Sequence, residues 1–141
     1  MNRKHFLSLS TFCSVFLLAS CASTGPNVAG NWQHLGNTHN GNIRNYIDQS
    51  SIKRAGQIAT FRDRMVIQKT EQHRFQDTPV YKTAVGTWEI DCKNHTYRLT
   101  AIELLNAQGQ VVAQHQYLRN TAALRIPAGS LSDKQYQIVC K

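Results

Sequence analysis

An apolar run from Phe6 to Ser20 decides how much of this chain can belong to a folded domain. Arg3 and Lys4 precede the run, which contains serine and threonine and falls short of the roughly 20 residues that span a bilayer. A basic start, a short apolar stretch and small residues before a cleavage point are typical of a secretory signal peptide. A buried N-terminal helix is the weaker alternative, because the run has neither a cap nor a polar face. We therefore predict that residues 1–20 are a signal peptide.

The run ends in Leu18-Ala19-Ser20-Cys21, which resembles the lipobox of bacterial lipoproteins. In that class a peptidase cuts before the cysteine, whose thiol takes the lipid. Cys21 is therefore predicted to be the acylated, palmitate-bearing N-terminus, held in the bilayer by two or three acyl chains at about 0.8 kcal/mol per buried methylene. In bacterial lipoproteins an aspartate directly after the cysteine directs retention at the inner membrane. Ala22 stands at that position here, which by analogy favours the outer membrane. Whether the domain faces the surface or the periplasm stays open.

The rest of the chain predicts a tether and one domain. Residues 21–30 are small, polar and contain glycine and proline, which is typical of a flexible linker. Residues 31–141 are enough for a single domain with a modest core. The chain has 16 Lys and Arg against 8 Asp and Glu, which favours acidic proteins, acidic polysaccharides or phosphate-bearing lipids as partners. Nucleic acid is excluded by the export signal, while an ordinary solvated surface remains an alternative to a basic patch.

Two cysteines remain once Cys13 is lost with the signal and Cys21 takes lipid. An even pair in an exported chain predicts one disulfide, Cys92–Cys140. The histidines show no ligand spacing near either cysteine, so we expect no metal and no cofactor.

Short runs of alternating apolar residues predict a mainly β (α+β) domain, a small antiparallel sheet with one or two short helices packed on it. Single helical turns are predicted at Asp48–Arg54 and at Ser130–Lys134. Alternation also places both cysteines on the buried faces of strands, so the disulfide is expected to join two strands. The candidate strands are 43–47, 57–68, 81–92, 97–105, 110–118 and 135–140, with a hairpin turn at 106–109.

No catalytic constellation is apparent. Ser130 lacks the flanking glycines and the preceding strand of a nucleophile elbow and is better suited to capping a helix. Glu89 and Asp91 share a strand face. The simplest interpretation is that they are solvated charge partners of Lys93 and Arg98. We therefore predict that the protein is not an enzyme.

Four basic residues are the candidate ligand-binding site. Lys53 and Arg54 follow Asp48, and Arg62 and Arg64 alternate on one face of the next strand. A chain reversal between the two pairs would align them along one edge of the sheet, where they would steer an acidic ligand. The alternative is that the two strand arginines form surface ion pairs with carboxylates across the sheet, worth about 0–1 kcal/mol each. The candidate carboxylates are Glu71, Asp77 and Glu89.

The segments YIDQSSIKRAG, WEIDCKNHTYRL, NAQGQVV and IPAGSLSDKQYQIVC resemble the surface-adhesin protein E-like family of bacterial lipoproteins. The resemblance covers residues 46–140 and implies an antiparallel sheet, a helix packed on it and a disulfide between the matching cysteines. Its best-known members bind host extracellular-matrix and serum proteins at the bacterial surface. The resemblance thus favours an outer-membrane adhesin with a role in virulence. The alternative is a periplasmic lipoprotein that assists envelope assembly or inhibits a lysozyme.

Overall fold

The computed structural model describes residues 28–72 and 77–141. The predicted signal peptide, the lipidation site Cys21 and most of the tether lie outside this part of the chain. Within it, no helix is both apolar enough and long enough to cross a membrane. The elements are β1 (Trp32–Thr38), β2 (Ile43–Ala55), β3 (Ile58–Ile67), β4 (Thr83–Asp91), β5 (Thr96–Leu105), β6 (Val111–Gln116), β7 (Leu124–Arg125) and one α-helix, α1 (Leu131–Val139).

The strands form one antiparallel sheet in which sequence neighbours pair. The order is β1-β2-β3-β4-β5-β6, and the short β7 pairs with β5. The predicted hairpin turn between β5 and β6 is confirmed: Gly109 has φ of 81°, which glycine adopts without strain. Beside it the Asn106 side chain accepts hydrogen bonds from two backbone amides of the turn. The predicted fold class, a small antiparallel sheet with a short helix, is therefore confirmed.

The predicted helical turn at Asp48–Arg54 is wrong, because β2 continues as a strand through these residues. Asp48 pairs with Arg62 and Lys53 pairs with Thr60, so four residues of β2 stand opposite one residue of β3 in a bulge. At the bulge the Ser51 hydroxyl accepts from the Arg62 amide at 2.8 Å and donates to the Asp48 carbonyl at 2.7 Å. The Ser51 side chain thus replaces backbone hydrogen bonds between β2 and β3, and the strand continues past the bulge.

The predicted strand at residues 135–140 is also wrong, because these residues belong to α1 and its C-terminal end. Ser130 caps the helix as predicted, accepting from the Asp133 amide at 3.1 Å. Gln135 and Val139, four residues apart, are the buried positions of the helix. One of them is polar, so the helical period is not visible in the apolar residues alone.

The core lies on one face of the sheet in two clusters. Ile43 and Ile47, four residues apart on β2, project to the same side and belong one to each cluster. One cluster lies beneath α1 and consists of Ile47, Ala59, Phe61, Ile90 and Val139. The other lies beyond the helix and consists of Ile43, Ile67, Tyr81, Ala84 and Leu104.

The predicted disulfide is confirmed. Cys92 and Cys140 are bonded, with Cα atoms 5.5 Å apart. The bridge joins the turn after β4 to the C-terminal end of α1, so the expected link between two strands is wrong. Beside the bridge the Tyr136 hydroxyl donates to the Cys92 carbonyl at 3.1 Å. The disulfide therefore holds the helix against the sheet at the helix's last turn.

Candidate functional site

A group of aromatic and basic side chains lies on the sheet face opposite α1. Asp48 stands opposite Trp32 on β1 and Arg62 on β3, and Tyr46 stands opposite Arg64. Directly paired residues project to the same face, so these five side chains form one surface across three strands. Alternation places the β2 and β3 residues of the two core clusters on the other face, part of which α1 covers. The sheet thus separates a structural face from a face available to a partner.

Asp48 organises this surface from beneath. Its carboxylate has no solvent exposure and accepts from the Asn31 amide at 2.8 Å and the Ser50 hydroxyl at 2.5 Å. It also pairs with Arg62, whose Nη2 lies 2.5 Å from Oδ2 and also donates to the Ala29 carbonyl at 2.8 Å. Burial alone would raise the pKa of Asp48, but these donors outweigh it and lower the pKa to about 2. The carboxylate is therefore ionised at neutral pH and fixes Arg62 in place.

Arg64 lies between two aromatic rings. Its guanidinium carbon is 4.6 Å from the centroid of Trp32 and 4.7 Å from that of Tyr46. The guanidinium of Arg62 lies 5.5 Å from the same tryptophan ring. His34 extends the row, 5.2 Å from Tyr46. Both arginines thus make cation–π contacts that hold their planar groups in a defined orientation. We call Trp32, Tyr46, Arg62 and Arg64 the arginine–aromatic ladder.

The structure brings together three of the four predicted binding residues. Lys53 stands opposite Thr60, two positions along β3 from Arg62, and projects to the ladder face. Arg54 stands opposite the core residue Ala59 and therefore projects to the other face, where its Nη1 lies 3.4 Å from the Lys141 carbonyl oxygen. β2 and β3 lie inside the sheet, so the expected alignment of all four along a sheet edge is wrong.

Cross-strand register adds residues that the sequence did not single out. Arg44 is exposed, stands opposite Val66 and shares the ladder face at its far end. Trp32 and Tyr46 join the site through pairing between strands, and no motif links them to the arginines in the sequence. Arg62 pairs with Asp48 and not with the carboxylates expected from the sequence. The one predicted surface pair that forms is Arg98 with Glu89.

Asp63 is a buried carboxylate on the helix side of the sheet. Its Oδ2 accepts from the Gln135 side chain of α1 at 3.1 Å, and it stands opposite Gly86 on β4. A β-carbon at Gly86 would lie 2.6 Å from Asp63 Oδ1, so only glycine leaves room for this side chain. Burial raises the pKa of Asp63 to about 6, although the bond from Gln135 opposes part of the effect. The group packs the helix and has no access to a ligand.

Within residues 28–72 and 77–141 no cluster of His, Cys, Asp or Glu could hold a metal ion. The Ser130 hydroxyl is engaged as the helix cap and donates to the Pro127 carbonyl at 2.6 Å. Cys92 and Cys140 are bonded to each other, so neither is a free thiol. The side chains that stand out are those of the ladder, whose chemistry suits binding.

Comparison with protein families places this fold. The model of the family described as surface-adhesin protein E matches residues 32–141, the whole of the sheet and the helix. The chain belongs to the surface-adhesin protein E family. Membership supports an adhesin role at the cell surface and points to a non-enzymatic binding protein. It also confirms the resemblance found in the sequence segments.

Two structures of Haemophilus influenzae protein E resemble this member of the surface-adhesin protein E family. Both superpose with a TM-score of 0.53 at 17% identity over 81% of this chain, covering 86% of one and 90% of the other. At this identity the likeness shows the shared fold. No curated protein matches the chain. The identification of the arginine–aromatic ladder as a candidate site therefore rests on the residues of this protein.

Proposed function

We propose that the protein is a lipid-anchored outer-membrane adhesin that holds acidic host extracellular-matrix or serum ligands on its ladder face. The observation that carries the proposal is the positive charge of this face over β2 and β3, while Glu89, which shares the face on β4, is paired with Arg98. Lys53, Arg44 and the two ladder arginines project from it, and the carboxylate beneath them, Asp48, is buried and already paired with Arg62. Such a surface attracts an acidic partner and accelerates its association.

The predicted position in the cell fits this role. A cleaved signal and an acylated Cys21 would place the N-terminus in the bilayer, and residues 21–30 would link it to β1. A tether of this kind lets the ladder face meet a partner in solution. The alternative, a periplasmic lipoprotein for envelope assembly or lysozyme inhibition, needs the anchor but no exposure at the surface.

Protease treatment of intact cells separates these two functions. We expect external protease to remove the domain from intact cells while a periplasmic marker protein is retained. Cells with a permeabilised outer membrane provide the control that the domain can be cleaved. Survival of the domain on intact cells, with cleavage after permeabilisation, would contradict the adhesin and favour the periplasmic alternative.

Replacement of Cys21 by alanine is expected to abolish incorporation of labelled palmitate, because the thiol is the predicted acylation site. Cys13→Ala is the matched control, since Cys13 lies in the predicted signal peptide and its loss should leave labelling unchanged. Labelling is measured in bacteria that express each form. Equal incorporation into the wild type and Cys21→Ala would refute the predicted anchor.

A further inference from the structure

We propose that the arginine–aromatic ladder binds the sulfate groups of a sulfated polysaccharide, with Arg64 as the residue that makes the site specific. This inference rests on the proposed function and names the ligand class of its site. It is carried by the stacking of Arg64 between two rings and by the regular spacing of the cations around it.

Arg64 is a cation without a carboxylate partner among the described residues. The ion pairs there join Arg62 to Asp48 and Arg98 to Glu89. Arg64 Nε is buried and makes no hydrogen bond. The guanidinium of Arg64 instead lies over the rings of Trp32 and Tyr46. Burial lowers the pKa of Arg64 because it disfavours the charged form, and an anion at its exposed edge would offset that cost.

The stack also fixes how Arg64 presents its donors. A guanidinium is planar, and contact with two rings holds that plane in one orientation, from which paired N–H groups can face two oxygens of a sulfate. Because the orientation exists before the ligand arrives, less side-chain entropy is lost on binding. A lysine at this position would keep the charge and lose both the stacking and the paired donors.

The cations form a row that suits a linear polyanion. Lys53, Arg62, Arg64 and Arg44 occupy successive alternate register positions along β3, opposite or at residues 60, 62, 64 and 66. Alternate residues of a strand are roughly 6.7 Å apart, so the row extends about 20 Å along β3. A polymer with regularly repeated charges can contact several of these cations at once. The partly exposed rings of Trp32 and Tyr46 add apolar surface beside the cations, which can contact the sugar rings between the sulfates.

An acidic peptide fits this surface less well. The row lies on β2 and β3, each of which pairs with a strand on both sides. Their backbone donors and acceptors are therefore engaged in the sheet, and a peptide lying over the row cannot pair its backbone with either of these two strands. The face recognises its ligand through side-chain charge and ring faces, which a sulfated chain satisfies without backbone pairing.

The test compares heparin with fully desulfated heparin of the same length, using the folded mature domain and isothermal titration calorimetry. We expect the domain to bind heparin and not desulfated heparin, and we expect added salt to weaken the binding of heparin. Arg64→Gln and Arg64→Lys are each expected to weaken binding at least about tenfold, since hydrogen bonds to a charged group are lost. Tyr46→Leu keeps every charge and is expected to weaken binding in the same direction. Arg54→Gln is the matched control, because it removes one arginine from the other face and should leave affinity unchanged.

Circular dichroism and thermal unfolding confirm that each variant is folded before its affinity is compared. Wild-type affinity in Arg64→Lys would overturn the proposal, because charge without the stacked geometry would then suffice. Equal binding of polyglutamate and heparin would overturn it as well, in favour of an acidic protein ligand. If Arg64 variants keep heparin binding while intact cells lose the domain to protease, the inference fails and the proposed adhesin stands. If the variants lose heparin binding while the domain resists external protease, the ladder stands and the adhesin fails.

Discussion

Replacing both Cys92 and Cys140 by serine is expected to lower the free energy of unfolding by about 4 kcal/mol and to loosen α1 from the sheet. The bridge closes a segment of 48 residues, and the chain-entropy model gives about that value for such a loop. The helix has nine residues, and a helix of this length is marginal on its own in water. Val139 and Gln135 would remain as its main buried contacts with the sheet.

Urea unfolding of the double variant measures this loss, and amide exchange in α1 reports the loosened helix. Ser130→Ala is the matched control, because it weakens the same helix at its N-cap by about 1 kcal/mol and leaves the bridge intact. Wild-type stability and slow exchange in the double variant would show that packing alone holds the helix.

Asp63 is expected to make the domain less stable at pH 7.5 than at pH 4.5. Its pKa is about 6 in the folded chain, above the ordinary value of 3.8, because burial disfavours the charged form. A raised carboxyl pKa means that the folded state binds the proton more tightly, so stability falls as the pH rises from about 4 to about 6. Between pH 4.5 and the folded pKa lie about 1.5 pH units, so the expected difference in stability between pH 4.5 and pH 7.5 is about 2 kcal/mol.

Asp48 acts in the opposite sense and over a lower range. Its folded pKa of about 2 lies below 3.8, so the stability that it contributes is present above about pH 4 and is lost as the pH falls towards 2. The two groups together predict greatest stability near pH 4 to 5. That is an acidic optimum for a domain rich in basic residues.

Asp63→Asn separates this effect from other titrations. The amide has no charge to desolvate and still accepts from Gln135, so the difference in stability between pH 4.5 and pH 7.5 should largely disappear. Asp77→Asn, at an exposed position, should keep the wild-type pH dependence. Urea unfolding at both pH values measures each variant. A wild-type difference in Asp63→Asn would show that another group is responsible.

The sheet was predictable where apolar alternation is strong. β3 buries alternate residues at Ala59, Phe61 and Asp63, so the two-residue period appears directly in its sequence. The edge strand β1 buries little, and its polar sequence gives no such signal. The sequence pattern predicts a strand where α1 forms, because Gln135 occupies a core position and pattern analysis counts it as polar. The hydrogen bond from Gln135 to Asp63 explains why this polar side chain is buried.

The candidate site was predictable only in part, because alternation along a strand places residues of one strand but not residues of its neighbours. Arg62 and Arg64 lie two residues apart on one strand, which places them on one face from sequence alone. The bulge in β2 adds an odd number of residues, which alternation cannot foresee, so Lys53 instead of Arg54 projects to the ladder face. Trp32 and Tyr46 meet Arg64 through the pairing of three strands, and that register is a property of the fold.

The sequential order of the strands has a consequence for biogenesis. Each strand from β2 to β6 pairs with the one made just before it, so the sheet can grow in step with synthesis, by contacts between nearby segments. Cys92, by contrast, pairs with Cys140, which follows every strand of the sheet in the sequence. Formation of the native disulfide therefore comes after the sheet has been made, and docking of α1 favours it because the docked helix holds the second thiol within bonding distance of the first.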